Sequence, residues 1–420
     1  MVGLRVDVNN ILGEEDKIVL SKIRDRGEAW IVGGWVRELL SKEEVTGDLD
    51  IATTLMPKEL KEIFPRSIMV GEKYGTVIVR LEGVHEEEGL WEVTTLRREG
   101  GYGDGRRPDN VSFGNDINAD LERRDFTINA MAIDHTGELI DLGGKGHKDL
   151  SKGLLRTVGD PKKRIAEDGL RIMRAFRFLD NDPNGLRIMD DGLSEAISTN
   201  CNMLESVSKE RIWAELSQIL SGNNSRGILE SMRAHGVLGS ILPDIDCNCD
   251  VVFSRNVRVN LSLLCSSVES SGSELADSLK EFLRISNDDA GSISFLHDSR
   301  NADLDHSPSS IRRFRAYLPV YLQSEVLDYM AGLGNDTSKM MTALESVPPN
   351  KAGNAPLVNG NMISETTGME AGRRLGKLKG WLHRRQIEDD LGDSIQVLEL
   401  LSEIDWSGSD PGTWATLSWP

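Results

Sequence analysis

Residues 47–53 read GDLDIAT and set Asp48 and Asp50 one residue apart in a strand-like run. Side chains alternate faces along a strand, so the two carboxylates share one face and Leu49 takes the other. Held together they repel unless a cation lies between them. Mg²⁺, which takes oxygen ligands from one or two carboxylates and from substrate phosphates, is the natural occupant. Alone, the pattern also describes two solvated acids on an edge strand. Just upstream, IVGGWVREL runs from an apolar strand through Gly33 and Gly34 into a helix carrying Arg37. Backbone N–H groups at such a turn, the helix N-terminus and the guanidinium together make an anion site suited to a polyphosphate. A tight strand-to-helix turn would need the same glycines.

The elements that must position these groups follow from periodicity. Apolar or alternating runs at 29–34, 48–53, 66–70, 76–81 and 91–96 predict strands, with helices at 15–26, 35–41 and 57–63 between them. Beyond about residue 160 strand signals fade and amphipathic helical patterns take over, among them KKRIAEDGLRIMRAFRFL, SKERIWAELSQIL and QVLELLSEI. Clusters of Gly, Asn, Ser and Pro predict loops at 100–116, 142–153, 221–226, 266–274 and 347–361, and periodicity is weakest at 246–256 and 286–310. The fold class expected is an α+β head, a mixed β-sheet with flanking helices, followed by an all-helical remainder.

With 420 residues the chain holds several domains, and no apolar run is long enough to span a membrane. The opening MVGLRVDVNN lacks the basic and apolar blocks of a secretory signal, so a cytoplasmic protein is expected. Cys201, Cys247, Cys249 and Cys265 form no CxxC pair and read as reduced thiols. The net charge of −19 argues against a polyanionic partner, yet two windows run against it. Residues 156–177 carry seven Lys/Arg against three acids, and 371–387 carry six (Arg373, Arg374, Lys377, Lys379, Arg384, Arg385) and no acid. They fit either solvated helix faces or two contacts with a phosphate backbone.

A strand with Gly-Gly and a helix, then a GDxD strand, resembles the nucleotidyltransferase superfamily that contains DNA polymerase β. GGWVRELL, GDLDIATT, WEVTTLRREGGYGDGRRPDNV, DLERRDFTINAMAID, DLGGKGHKDL and RIAEDGLRIMRAFRF are similar, in order and spacing, to the motifs of the class II, bacterial-type CCA-adding tRNA nucleotidyltransferases and the related bacterial poly(A) polymerases. LESMRAHGVLGSILPDI and the segment from Leu357 to Leu391 look like later parts of the same family, and the likeness fades at 246–345. The resemblance implies a catalytic head at 1–142, a base-selecting neck at 143–230, a body at 231–345 and a tRNA-binding tail at 346–420.

Carried over by position, the resemblance assigns Asp48 and Asp50 to catalytic Mg²⁺ and Gly33, Gly34 and Arg37 to the triphosphate. Glu92 is a possible third carboxylate. Arg123, Arg124 and Asp125 match the motif that holds the ribose hydroxyl and phosphates, chemistry that suits a carboxylate acceptor beside two guanidinium forks. Glu167, Asp168 and Arg171 match the template that selects the base, with Arg174 nearby. On a continuous helix Asp168 and Arg171 share a face, where acceptor and donors could read the edge of cytosine or adenine; an ordinary i, i+3 ion pair would look the same. The glycine-rich stretch from Glu99 to Val111 matches a mobile loop, with Arg106 and Arg107 able to meet anions. The implied activity is untemplated addition of CCA to tRNA from CTP and ATP, with 371–387 on the tRNA. A poly(A) polymerase, an enzyme adding only CC or only A, and a non-catalytic RNA-binding protein on a transferase fold are the alternatives; the acidic to neutral C-terminus weighs against the first and the intact carboxylates against the last.

Overall fold

The computed structural model describes residues 4–41, 45, 47–71, 75–81, 89–100 and 110–420, and the chain divides into two units, Met1–Asp244 and Ile245–Pro420. In the first unit the order is α1 (Glu14–Arg24), β1 (Ala29–Val32), α2 (Gly33–Ser41), β2 (Asp50–Thr53), α3 (Pro57–Ile63), β3 (Ile68–Gly71), β4 (Thr76–Arg80) and β5 (Leu90–Thr95). Then come β6 (Arg97–Gly100), β7 (Asn110–Phe113), α4 (Ile117–Glu122), β8 (Met131–Ile133), β9 (Leu139–Asp141) and α5 (Lys145–Ser151). The unit closes with β10 (Leu154–Leu155), α6 (Pro161–Glu167), α7 (Leu170–Leu179), β11 (Ile188–Met189), α8 (Asp191–Thr199), α9 (Lys209–Ser221), α10 (Ser225–Ala234) and α11 (Val237–Ile241).

Seven strands form one sheet in the order β3-β4-β5-β2-β1-β8-β9. It is mixed: β2 runs parallel to β5 and antiparallel to β1, and the remaining pairs are antiparallel. β1 lies inside the sheet and all four of its residues are buried, which is why it reads as an unbroken apolar run. In β4 alternation persists, with Val77 and Val79 inward. This is the mixed sheet with flanking helices that the sequence predicts.

Departures from the expected elements have local causes. The predicted loop at 142–153 contains α5, because the Asp141 carboxylate accepts from the Gly146 and His147 N–H groups at 2.9 Å each and so closes the helix N-terminus. Residues 286–310 contain a helix at Asn287–Asp298, started by the Ser286 hydroxyl accepting from Asp289 N–H at 3.0 Å, with Ala290, Ile293 and Leu296 buried. The arms of the predicted loop at 100–116 pair as β6 and β7; its tip, with Arg106 and Arg107, lies outside the described residues.

The one departure that touches the candidate site is a break in the expected long helix at 162–179. Asp168 is extended (φ −151°, ψ 108°) and Gly169 begins a new helix, so Asp168 and Arg171 do not share a face of one continuous helix. A Cβ on Gly169 would come 2.4 Å from the Met203 carbonyl oxygen. Only glycine lets the chain pass there.

The second unit is helical, from a helix at Val257–Leu264 to one at Ser394–Glu399. One apolar cluster gathers Val259, Phe314, Tyr329 and Trp419, and another Ile363, Leu378, Leu382, Val397 and Trp414. The four cysteines are free thiols, and among the described residues no helix is long and apolar enough to cross a membrane. The close approach at Gly169 gives the first prediction: Gly169→Ala lowers stability in urea denaturation by on the order of 1–3 kcal/mol, as overpacking against backbone does. An unchanged midpoint would refute the steric account.

Candidate active site

Residue pairing in the sheet places the acids. Asp50 opens β2 opposite Val32 of β1 and opposite Glu92 of β5, and directly opposed residues in a parallel pair project to the same side. The strand expected at 48–53 begins only at Asp50, so Leu49, buried, and Asp48, exposed, both precede it. Gly33 follows Val32 with φ +72°, and a Cβ there would stand 2.7 Å from Asp50 Oδ2. The Gly34 N–H donates to the Asp50 carboxylate. The glycines thus let the strand-to-helix turn close directly onto Asp50.

Burial pushes the Asp50 carboxyl up to about 6, and the like charges of Glu92 and Asp48 push the same way against Arg124 and the Gly34 N–H. Oxygen donors crowded to that degree fit a hard divalent cation, whose charge would reverse the shift. Among the described residues no three His, Cys, Asp or Glu side chains group as a metal cluster, so such an ion would need oxygens from a substrate to complete its shell.

The RRD turn follows α4. Arg123 donates from Nε and Nη2 to Asp120 Oδ1 at 3.0 and 2.7 Å, and Arg124 reaches the other oxygen of Asp120 at 3.5 Å. Asp120 is 2% exposed, so it serves as the buried counter-charge that aligns both guanidiniums. Asp125 is buried, and its Oδ2 accepts from Arg174 Nη2 at 2.6 Å and Nε at 2.7 Å, its Oδ1 from Phe126 N–H at 2.8 Å and Asn129 Nδ2 at 3.3 Å. Burial alone would raise this carboxyl; Arg174 and the other donors outweigh it and hold it at about 2. Asn129 Oδ1 in turn accepts from Arg37.

On the helical side, Asp168 caps α7 by accepting from Leu170 N–H at 3.0 Å and pairs with Arg211 of α9 at 2.9 Å. Arg171 pairs instead with Glu167 at 2.5 Å, which also takes Arg164 at 2.8 Å. Glu215 of α9 holds Arg177 at 2.7 Å and Arg174 at 3.6 Å. Ile172, Met173 and Phe176 are buried on the opposite face, as their spacing predicts.

These groups meet in a cleft of about 810 Å³ within the first unit. Of the predicted residues, Gly33, Gly34, Arg37, Asp50, Glu92, Arg123, Arg124, Asp125, Asp168, Arg171 and Arg174 line it; Asp48 and Glu167 do not. Arg177, the last residue of the basic window at 156–177, lines it too, as do Arg211, Arg97 and Phe178, which were not singled out from the sequence. Arg211 sits in an ordinary amphipathic run with no local signal, and only the packing of α9 against α7 brings it to Asp168. Among the described residues the lining carries eight arginines and four carboxylates, in a chain whose net charge is −19.

The helix of the second unit at Arg373–Glu388 carries the other basic window. There Arg384 pairs with Glu388 at 2.8 Å, Arg385 with Asp389 and Glu403 at 2.9 Å each, and Arg374 donates to the carbonyls of Trp406 and Ser409 at 2.9 and 2.7 Å. Arg373, Lys377 and Lys379 make no ion pair among the described residues.

Residues 29–156 match the family model described as the Poly A polymerase head domain, and 189–249 match that for the "Probable RNA and SrmB- binding site of polymerase A". The seven-stranded sheet thus lies within the region that matches that head domain. The chain is 34% identical to the CCA-adding enzyme of Streptococcus gordonii, covering 90% of this chain and 94% of that one, and 30% identical to that of Limosilactobacillus reuteri, covering 94% and 98%. In fold it resembles the CCA-adding enzyme of Bacillus stearothermophilus solved in complex with CTP, with a TM-score of 0.77 at 24% identity over 93% of this chain and 98% of that one. The chain belongs to the family of CCA-adding enzymes.

The Asp50 environment yields a signed pH effect. A carboxyl raised from 3.8 to about 6 binds its proton more tightly in the folded chain. Its stabilising contribution is therefore present at acid pH and lost as pH rises through about 6. In metal-free buffer Asp50→Asn equals the parent in stability near pH 4 and exceeds it above pH 7, by on the order of 1–3 kcal/mol. Parallel urea midpoints across that range would contradict the assigned crowding.

Proposed function

We propose that this chain adds C, C and A, without a template, to the 3′ ends of tRNA from CTP and ATP, releasing pyrophosphate at each addition. The observation that carries the reading is the excess of guanidinium over carboxylate in a cleft that closes on Asp50, matched by curated relatives named for CCA addition. In each cycle the RNA 3′-oxygen bonds to the α-phosphorus, the bond from that phosphorus to the β-phosphate oxygen breaks, and the hydroxyl proton is lost. Asp48 and Asp50 are the residues that would hold a pair of Mg²⁺ ions, which when bound supply Lewis-acid polarisation of phosphate oxygens and lower the pKa of the hydroxyl.

The chain's own residues do the rest by position and charge. The Gly34 N–H fixes Asp50, and Gly33 leaves room for a phosphate to approach the backbone. Arg123 and Arg124, set by Asp120, face the phosphates. Asp125 orients Arg174 and keeps the ribose side of the cleft polar. Base choice falls to Asp168 and Arg171, with Arg211 added by the structure: an acceptor held by one guanidinium stands beside a second guanidinium held by Glu167. In this division residues 1–142 supply the chemistry, 143–230 read the base and 346–420 meet the tRNA.

Two measurements test the reading. Purified protein with Mg²⁺ and CTP, ATP or both is expected to extend a tRNA lacking CCA, and one ending in CC, to CCA and stop, with little action on an unstructured oligonucleotide. Long A tracts would assign poly(A) polymerase activity, extension of only one tRNA a split-function enzyme, and no extension a binding protein. Asp50→Ala is expected to cut incorporation roughly 10³-fold, the several kcal/mol that metal-assisted charge stabilisation supplies. Separately, Arg373→Gln with Lys377→Gln and Lys379→Gln is expected to weaken tRNA binding and lower its salt slope by about 1 per lost phosphate contact. Arg385→Ala should instead alter stability more than binding, because its charge is already neutralised.

A further inference from the structure

A second cavity, about 240 Å³, adjoins the cleft and shares Arg37, Arg177 and Phe178 with it. Its other wall is the turn after α7, from Asp180 to Arg187. The Phe178 ring gathers three guanidiniums, Arg177 at 4.3 Å from its centroid, Arg37 at 5.0 Å and Arg174 at 5.3 Å. Arg174 and Arg177 are compensated by Asp125 and Glu215. Arg37 and Arg187, which face this cavity, form no ion pair among the described residues.

Arg187 is the telling side chain. It is 8% exposed, donates from Nη1 to the Phe178 carbonyl at 2.9 Å and to the Asp180 carbonyl, and its Nε has no hydrogen-bond partner. Burial, and then the charge of Arg37, push its pKa down to about 10 against the opposing charge of Asp180. Two of the three acids of the wall are turned to other donors: Glu38 accepts from Gly47 N–H at 3.2 Å, and Asp180 Oδ1 accepts from Asn224 Nδ2 at 2.7 Å and Asp182 N–H at 3.1 Å; the third, Asp182, is exposed to solvent. Gln218 accepts from Arg177 through its carbonyl oxygen at 2.8 Å, which leaves its amide N–H₂ as a further donor. Two guanidiniums without an ion pair among the described residues, Arg37 and Arg187, and the Gln218 amide beside a polar cavity offer donors to an oxyanion.

We propose that this cavity is a second phosphate site, taking either pyrophosphate or a phosphate of the RNA, with Arg37 shared between it and the nucleotide cleft. The proposal rests on the transfer reading above, in which both ligands are at hand.

The test is calorimetric titration of the full chain with inorganic pyrophosphate while an α,β-methylene CTP analogue occupies the cleft. The parent protein is expected to bind pyrophosphate under those conditions. Arg187→Gln should weaken binding at least tenfold. Because Arg187 also ties down two carbonyls, Asn184→Glu, on the exposed part of the turn, is the companion: it sets a negative charge at the cavity without touching those bonds, and should weaken pyrophosphate equally. If the occupant in turnover is pyrophosphate, both variants relieve product inhibition. If it is an RNA phosphate, both instead raise the KM for RNA and lower its salt slope by about 1. The proposal is overturned if the analogue abolishes pyrophosphate binding, or if a folded Asn184→Glu matches the parent in pyrophosphate affinity, product inhibition and RNA KM alike. Incorporation by the parent is read in the same preparation, so loss of the transfer reading and loss of the second site are separate outcomes.

Discussion

The buried pair of Asp125 and Arg174 is the contact on which the rest of the cleft depends. Asp125 belongs to the turn after α4 and Arg174 to the middle of α7, so their bonds at 2.6 and 2.7 Å join the sheet side to the helical side. Each partner extends the chain of charges. Asp125 also takes Asn129, which holds Arg37; Arg174 also takes Glu215, which holds Arg177. Desolvation opposes this arrangement, and it persists because almost every lone pair and N–H has a partner. Removing one member of such a pair leaves a buried charge, at a cost of about 3–5 kcal/mol. The two walls of the cleft are therefore joined by electrostatics as well as by apolar packing, Phe126 standing edge-on to Phe178 with ring centroids 5.7 Å apart.

The same network reconciles an acidic chain with an anion-binding cleft. A net charge of −19 would repel a polyphosphate if it were spread evenly, but the lining concentrates eight arginines against four carboxylates. Arginine suits this role because its charge survives burial and its planar fork accepts two fixed partners at once. Asp120, Glu167 and Glu215 stand behind guanidiniums and aim them. Asp50 and Glu92 face each other across neighbouring strands, and a cation would relieve their mutual repulsion.

Much of this was legible in the residues, and the misses share one cause. The strands at 29–34, 48–53, 76–81 and 91–96 announced themselves by apolar runs or alternation, because each buries a face in the sheet. The short β8 and β9 did not, since three residues carry too little periodicity to stand out. The helix at Asn287–Asp298 hid behind a polar first turn whose serine and aspartates serve as cap and dipole partners. The break at Asp168 lay inside a continuous amphipathic pattern, and the close approach of the Met203 carbonyl that requires glycine at 169 comes from a distant part of the chain.

What the sequence determined by itself is the set of candidate side chains and their local frame: Gly33 and Gly34 at a strand-to-helix turn, Asp48 and Asp50 on either side of Leu49, the RRD turn and the EDxxR segment. Those follow from alternation, from glycine's backbone freedom and from the chemistry of the groups, all of which act over a few residues. Tertiary structure decided between competing partners. It gave Asp168 to Arg211 rather than to Arg171, turned Glu167 and Asp120 into supports, tied Arg384 and Arg385 to acids while leaving Lys377 and Lys379 without ion pairs, and opened the second cavity beside Arg37. Pairs three or four residues apart, such as Glu167 with Arg171, Asp120 with Arg123 and Arg384 with Glu388, lie within reach of a local reading, whereas Asp168 with Arg211 and Asp125 with Arg174 are 43 and 49 residues apart and meet only when the chain folds.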